Sequence, residues 1–211
     1  MYNYNKMEVF MKRVQLILMT VFTFMFFMTE HVSAAGQAEK YMKQFEGKDV
    51  MMHFIMHTTI NKKATKSDIT VANLGKKTIT KMSYEGQIVR FLIDGKKNYM
   101  ISDKDKMAMN LNMIGVSPSL FQQPDYIGVK ITDTGVDTIM GKKLPYEEMD
   151  VKNGGKIRYY FNGENLAYIA GKNIGNDFIM EILECTSNVP ASLFEIPKGY
   201  RVIEGLKDMG I

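Results

Sequence analysis

From residue 49 to residue 186 the chain is cut into short, even lengths by glycine- and asparagine-bearing turns. Asn73-Leu74-Gly75, Glu85-Gly86, Asp94-Gly95, Asp103-Lys104-Asp105, Asn153-Gly154-Gly155, Asn162-Gly163 and Gly175-Asn176 separate runs rich in Val, Ile, Thr, Tyr, Phe and Met. Asn-Gly and Asp-Gly supply the positive φ angles that tight hairpins need. The runs between them predict strands over 49–59, 66–74, 77–84, 87–94, 97–102, 106–111, 128–138, 144–151, 156–162, 165–171 and 177–186. Short, evenly spaced strands joined mainly by hairpins form an antiparallel meander that curls into a sandwich or barrel. No βαβ alternation and no internal repeat competes with that reading.

Alternation within the runs gives the sheet one persistently apolar face. Met52, Phe54 and Met56 share a face, as do Val89, Phe91 and Ile93, then Met107, Met109 and Leu111. The same holds for Ile157, Tyr159 and Phe161, and for Phe178, Met180 and Ile182. Intervening positions are mixed, among them Arg90, Lys106, Ala108, Asn110, Arg158 and Glu181. Such a sheet must cover its apolar side. Few helices are available to do so. Gln37 to Phe45 reads as a short amphipathic helix with Tyr41, Met42 and Phe45 on one side. Ser117-Pro118-Ser119-Leu120-Phe121 is a capped helix start, and Asn188 to Phe194 repeats its chemistry, each presenting a Leu-Phe pair to the sheet. Tyr200 to Glu204 reads as a last strand. Either the sheet closes on itself, or it wraps around these helices and leaves room for something apolar.

The first 34 residues have the order of a secretory signal peptide. Lys12 and Arg13 precede the uncharged apolar run Val14 to Met28, and Val32-Ser33-Ala34 supplies small residues for cleavage near Ala34. The run is short of the roughly 20 residues a spanning helix needs. Met7 and Met11 both precede the basic pair, and a start at Met11 makes residues 1–10 a dispensable extension. No cysteine follows the apolar run, so there is no lipobox. Residues 35–211 are expected as one exported, soluble domain with a real core. Its only cysteine, Cys185, excludes an intrachain disulfide and reads as a small buried residue. Removing the leader takes the net charge from +4 to about +3, because three basic and two acidic residues go with it. The lysines stand dispersed, mostly in pairs at turns, with no basic face interleaved with aromatics, which argues against nucleic acid. Peripheral contact with anionic lipid headgroups stays open.

Residues 50–58, VMMHFIMHT, hold every histidine outside the leader. In a strand, Met51, His53, Ile55 and His57 lie on one face and Met52, Phe54 and Met56 on the other. His53 and His57 are then roughly 13 Å apart, too far for one ion to bridge along a single strand. Neighbours such as Met51 and His53 could still hold Cu(I) if another strand supplied a ligand. Other constellations are missing: there is no Gly-x-Ser-x-Gly, His-Glu-x-x-His, Cys-x-x-Cys or P-loop. Glu147 and Glu148, the adjacent carboxylates, point to opposite faces of a strand. No catalytic residue, metal site or cofactor is assigned.

Three segments carry a family resemblance: VPASLFEIPKGY (189–200), MGKKLPYEE (140–148) and RYYFNGENL (158–166). Together they resemble exported bacterial domains of the lipoprotein-carrier (LolA/LolB-like) fold. The layout covers most of residues 37–204, and the specific part is the last dozen. The resemblance implies a mainly β fold with a few short helices. Its curved antiparallel sheet would form an incomplete, half-open barrel with helices on the concave side, around a cavity for acyl chains. It further implies that the Pro-Ala-Ser-Leu-Phe turn plugs one end of the barrel. The aromatic, arginine-containing strand of true lipoprotein carriers has only Gln87 to Leu92 as a counterpart, so lipoprotein trafficking is not carried over.

The expected protein is a monomeric, non-enzymatic envelope component that binds a lipid, an acylated peptide or a lipidated protein. Met52, Phe54, Met56, Phe91, Ile93, Met107, Met109, Tyr159 and Phe161 are the expected cavity lining. Thirteen of the 19 methionines lie outside the leader, and methionine suits a lining that accepts variable ligands as well as an ordinary core. The rival is a structural or sensory module of the same fold with a filled core. A Met/His copper protein ranks third and a hydrolase fourth.

Overall fold

The structure is a computed structural model that describes residues 36–60, 63–84, 86–95, 97–114, 131–151, 155–172, 177–205 and 208. The leader and the Ser117–Phe121 helix start lie outside the described residues. One α-helix, α1 (Gln37–Lys43), precedes β1 (Met51–Ile60), β2 (Lys63–Leu74), β3 (Lys77–Tyr84), β4 (Gln87–Asp94), β5 (Lys97–Ser102) and β6 (Met107–Asn110). A 3₁₀ turn, Leu111–Ile114, ends that half. Then come β7 (Ile131–Ile139), β8 (Lys142–Val151), β9 (Gly155–Asn162), β10 (Asn165–Lys172) and β11 (Phe178–Thr186). A 3₁₀ turn, Ala191–Phe194, and β12 (Arg201–Ile203) follow.

All twelve strands belong to one sheet in the order β12-β6-β5-β4-β3-β2-β1-β11-β10-β9-β8-β7. Two hairpin meanders, β1–β6 and β7–β11, are therefore zipped together along β1 and β11. The sheet is curved and stays open rather than closing into a barrel. Register shifts by one residue at Thr132, Ala167 and Leu183, all in the second meander. Bulges of this kind bend a strand and raise its twist, which helps the sheet curl.

The inner face carries the main core. One buried cluster joins Met52, Phe54 and Met56 of β1 to Ile69 and Val71 of β2 and to Val89 and Phe91 of β4. It continues through Met180 of β11, Leu166 and Ile169 of β10, and Tyr159 and Phe161 of β9, to Met149 of β8. Helix α1 lies against this face through Ala38 and Met42, and Phe45 follows in the turn beyond it. Tyr41 packs edge-on against Phe161, with ring centroids 6.5 Å apart.

The outer face is also apolar over the first meander, which the mixed intervening positions did not lead us to expect. Ile79, Leu92, Tyr99, Ile101 and Ala108 form a second buried cluster, closed by Phe194. After β11 the chain crosses this outer face through the Ala191–Phe194 turn and pairs β12 in parallel with β6 at the far edge. The turn thus covers the outer side of the sheet instead of plugging an end. Pro190 sits at its start with no side-chain cap, so the capping by serine or asparagine expected there is not made.

Candidate inner-face site

Strand alternation delivers most of the expected lining to one place. Met52, Phe54 and Met56 are buried on the inner face of β1, Phe91 joins them from β4, and Tyr159 and Phe161 from β9. Ile93 is half-buried and packs against the same cluster. Met107 and Met109 of β6 are half-buried and stand outside that buried cluster, although Met109 pairs with Met100, which packs on it. The thioether of Met107 lies 3.9 Å from the Arg201 guanidinium, at the β12 edge.

The inner face also receives Cys185, by way of the bulge at Leu183. On β1, Phe54 faces Ile182 and His53 faces Glu184, so Leu183 is skipped and left exposed. Without that skip Glu184 would follow Ile182 inward; with it, Cys185 does. Burial pushes the Cys185 thiol up to about 11, so it is protonated at neutral pH and is no nucleophile. Burial raises the phenol of Tyr41 on α1 as well.

Helix α1 is fastened to the second meander by a carboxylate from β8. Glu147 accepts hydrogen bonds from the backbone N–H of Gln37 (2.7 Å) and of Ala38 (2.9 Å), two of the donors a helix start leaves open. A side chain at Gly36 would displace the ends of Ile131 and Glu147, since a Cβ there would meet Ile131 Cδ1 at 2.3 Å and the Glu147 carboxylate at 2.8 Å. Glu148, next along β8, points the other way, as expected of adjacent strand residues. It is buried on the outer face, where Lys156 and Arg158 (Nε to Oε2, 2.6 Å) hydrogen-bond it. The Lys156 hydrogen bond, more than the Arg158 one, holds the Glu148 carboxyl below the usual range against the opposing effect of burial.

The histidines lie on the opposite face from Met52, Phe54 and Met56. His53 Nε2 is 3.0 Å from Asp68, and His57 Nε2 is 3.6 Å from Glu181. Among the described residues no three His, Cys, Asp or Glu side chains gather as a metal site would require. The inner face as a whole is built to bury apolar atoms. It holds a neutral thiol and no described pairing of nucleophile and base.

Two polar side chains on this face were not anticipated: Thr80 of β3 and Asn98 of β5, both fully buried and, among the described residues, without a hydrogen-bond partner. The signal was available. In Lys97-Asn98-Tyr99-Met100 the asparagine takes the same alternate position as an inward methionine.

No protein-family model matches the chain, and no curated protein matches it. Several solved structures are similar. An uncharacterized conserved protein from Thermus thermophilus shares 10% identity over 80% of this chain and 99% of its own, with a TM-score of 0.46. A domain described as an outer membrane lipoprotein-sorting protein from Vibrio parahaemolyticus shares 8% over 75% of this chain and 94% of its own, with a TM-score of 0.36. LprF from Mycobacterium bovis shares 14% over 73% and 90%, with a TM-score of 0.34. The TM-scores lie below 0.5, and the open curved sheet rests on its own strand order.

Proposed function

We propose that this chain is an exported, non-enzymatic envelope protein that binds an apolar ligand, a lipid or an acylated peptide, against the inner face of its open sheet. The observation that supports the reading is the continuous inner cluster of methionine and aromatic side chains, running from β4 to β8 across the junction of the two meanders. Among the described residues one seven-residue helix covers it. An apolar face of that extent needs a cover, and methionine lets the lining adjust to acyl chains of different shape. Met52, Phe54, Met56, Phe91, Ile93, Tyr159 and Phe161 form the lining, with Met107 and Met109 at the rim near β12. The protein acts as a monomer after cleavage near Ala34, and no helix among the described residues is long and apolar enough to cross a membrane.

The competing reading, a module with a filled core, draws on the near-complete burial of Phe54, Met56, Tyr159 and Phe161. Native mass spectrometry of protein recovered from its own envelope separates the two. The ligand reading expects an adduct of lipid mass, extractable into organic solvent, that is depleted in a Met52→Ala/Met56→Ala variant and retained in a His53→Ala/His57→Ala control. Protein that carries no adduct and yields no lipid on extraction sinks it.

A further inference from the structure

Asn98 is 1% exposed, and among the described residues neither its Oδ1 nor its Nδ2 has a hydrogen-bond partner. Asn110 and Glu148, also buried, are served: Asn110 donates to Glu204, and Glu148 accepts from Lys156 and Arg158. Burying an amide with both functions unmade opposes folding, and interiors seldom contain one. Asn98 points to the inner face. Its chain neighbour Tyr99 lies in the outer cluster, while Met100, two residues on, packs on the inner one. Across the ladder it stands opposite Ile93, a residue of the proposed lining. Thr80, with its own unpartnered hydroxyl, stands opposite Phe91 on the other side of β4. Strand geometry separates Thr80 from Asn98 by roughly 12 Å, so one head group cannot reach both.

Resting on the apolar-ligand reading, we propose that Asn98 anchors the ligand's head group. It selects acyl chains that end in a neutral donor–acceptor pair, as a primary amide does, over esters and bare hydrocarbon. The carboxamide of Asn98 offers one N–H and one C=O side by side, and a head group satisfies both only if it returns an acceptor and a donor together. An ester has acceptors alone and leaves Oδ1 unmet. The same-face neighbours by register, Thr78, Ile93, Met100 and Met109, carry no charge, so an ionised head would lie there unpaired. Entry is from the side of the half-buried Met100 and Met109, whose unbranched chains change rotamer readily.

The test is displacement of a bound fluorescent apolar probe, 1-N-phenylnaphthylamine, by dodecanamide and by methyl dodecanoate. Wild-type protein is expected to take the amide at about tenfold lower concentration than the ester, the scale of one well-made buried hydrogen bond. Asn98→Leu, close in shape, is expected to bind both equally and to melt about 2–4 °C higher without ligand, because it removes an unpaired group. Equal displacement by the two compounds in wild type overturns the assignment, and so does a preference that survives in Asn98→Leu. A lower melting temperature in that variant overturns the premise that the amide is unpaired. The wild-type comparison decides without any variant. If neither compound nor the probe binds, the apolar-ligand reading fails, and this assignment with it. Ester binding without preference sinks the Asn98 assignment alone.

Discussion

Met140 shows how a single residue can carry strain that the rest of the fold tolerates. It occupies the two-residue turn between β7 and β8 with φ 48, and Gly141 follows with φ 77. Two positive φ angles in a two-residue hairpin are suited to Asn-Gly, because a longer side chain in that region crowds its own carbonyl. Met140 is exposed and packs in none of the buried clusters that could offset the crowding. Met140→Asn is therefore expected to stabilise the protein by about 0.5–1 kcal/mol, visible as a rise of about 1–4 °C in thermal melting; an unchanged or lower midpoint contradicts the strain. The same turn explains what was hard to read from the sequence. Asn162-Gly163 and Asp94-Gly95 announce hairpins, whereas Met140-Gly141 does not look like one. Inner-face residues were legible wherever alternation ran unbroken, as at Met52, Phe54 and Met56. Cys185 was not, because the skip at Leu183 exchanges faces without any marker in the local composition.

Elements were legible by their turns and illegible by their partners. The strand spans of both meanders follow the Gly and Asn punctuation closely, since hairpin register is local. The parallel pairing of β12 with β6 joins segments that nothing in a three-residue strand can specify. The outer-face core was under-read for a related reason: Phe91-Leu92-Ile93 and Tyr99-Met100-Ile101 are continuous apolar runs, the mark of strands buried on both sides. Docking of α1 is likewise decided at a distance. Its start has no cap within its own chain segment, and Glu147 on β8 takes that place. A carboxylate here satisfies two N–H groups and complements the helix dipole, whereas a glutamine offers one acceptor oxygen and no charge. Glu147→Gln is expected to cost about 1–2 kcal/mol. Hydrogen exchange should locate the change, with amides of 37–43 exchanging faster and those of β3–β5 unaffected. Uniform acceleration through the sheet would mean that Glu147 supports the fold globally and not the helix.

At the scale of the molecule, two carboxylates act as ties, one within the β7–β9 hairpins and one, Glu204, between segments that no hairpin joins. Glu148 is buried between β7, β8 and β9, where Lys156 and Arg158 bond it and Arg158 reaches on to Asp137 at 2.8 Å. Glu204, just past β12, accepts from Tyr99 (2.7 Å), Asn110 (2.9 Å) and Lys97 (3.1 Å), fixing the end of the outer-face crossing. Both carboxyls are held below their ordinary range, Glu148 chiefly by the Lys156 hydrogen bond and Glu204 chiefly by that of Tyr99. A folded pKa below the unfolded one gives stability that is complete above the unfolded value, about 4.3, and is lost as pH falls through the folded value. The melting temperature is thus expected to hold between neutral pH and about pH 5, then to fall below about pH 4. Glu148→Gln should lower the midpoint at pH 7 and flatten the fall in acid, because its share has already been removed. Glu204 is exposed, and solvent screens its hold, so protection from hydrogen exchange at 201–203, relative to the intrinsic rate at each pH, should be lost on acidification before protection in β8 and β9. A midpoint that climbs on acidification would reverse the sign of both ties, and a Glu148→Gln variant with an unaltered acid limb would remove Glu148 from the account.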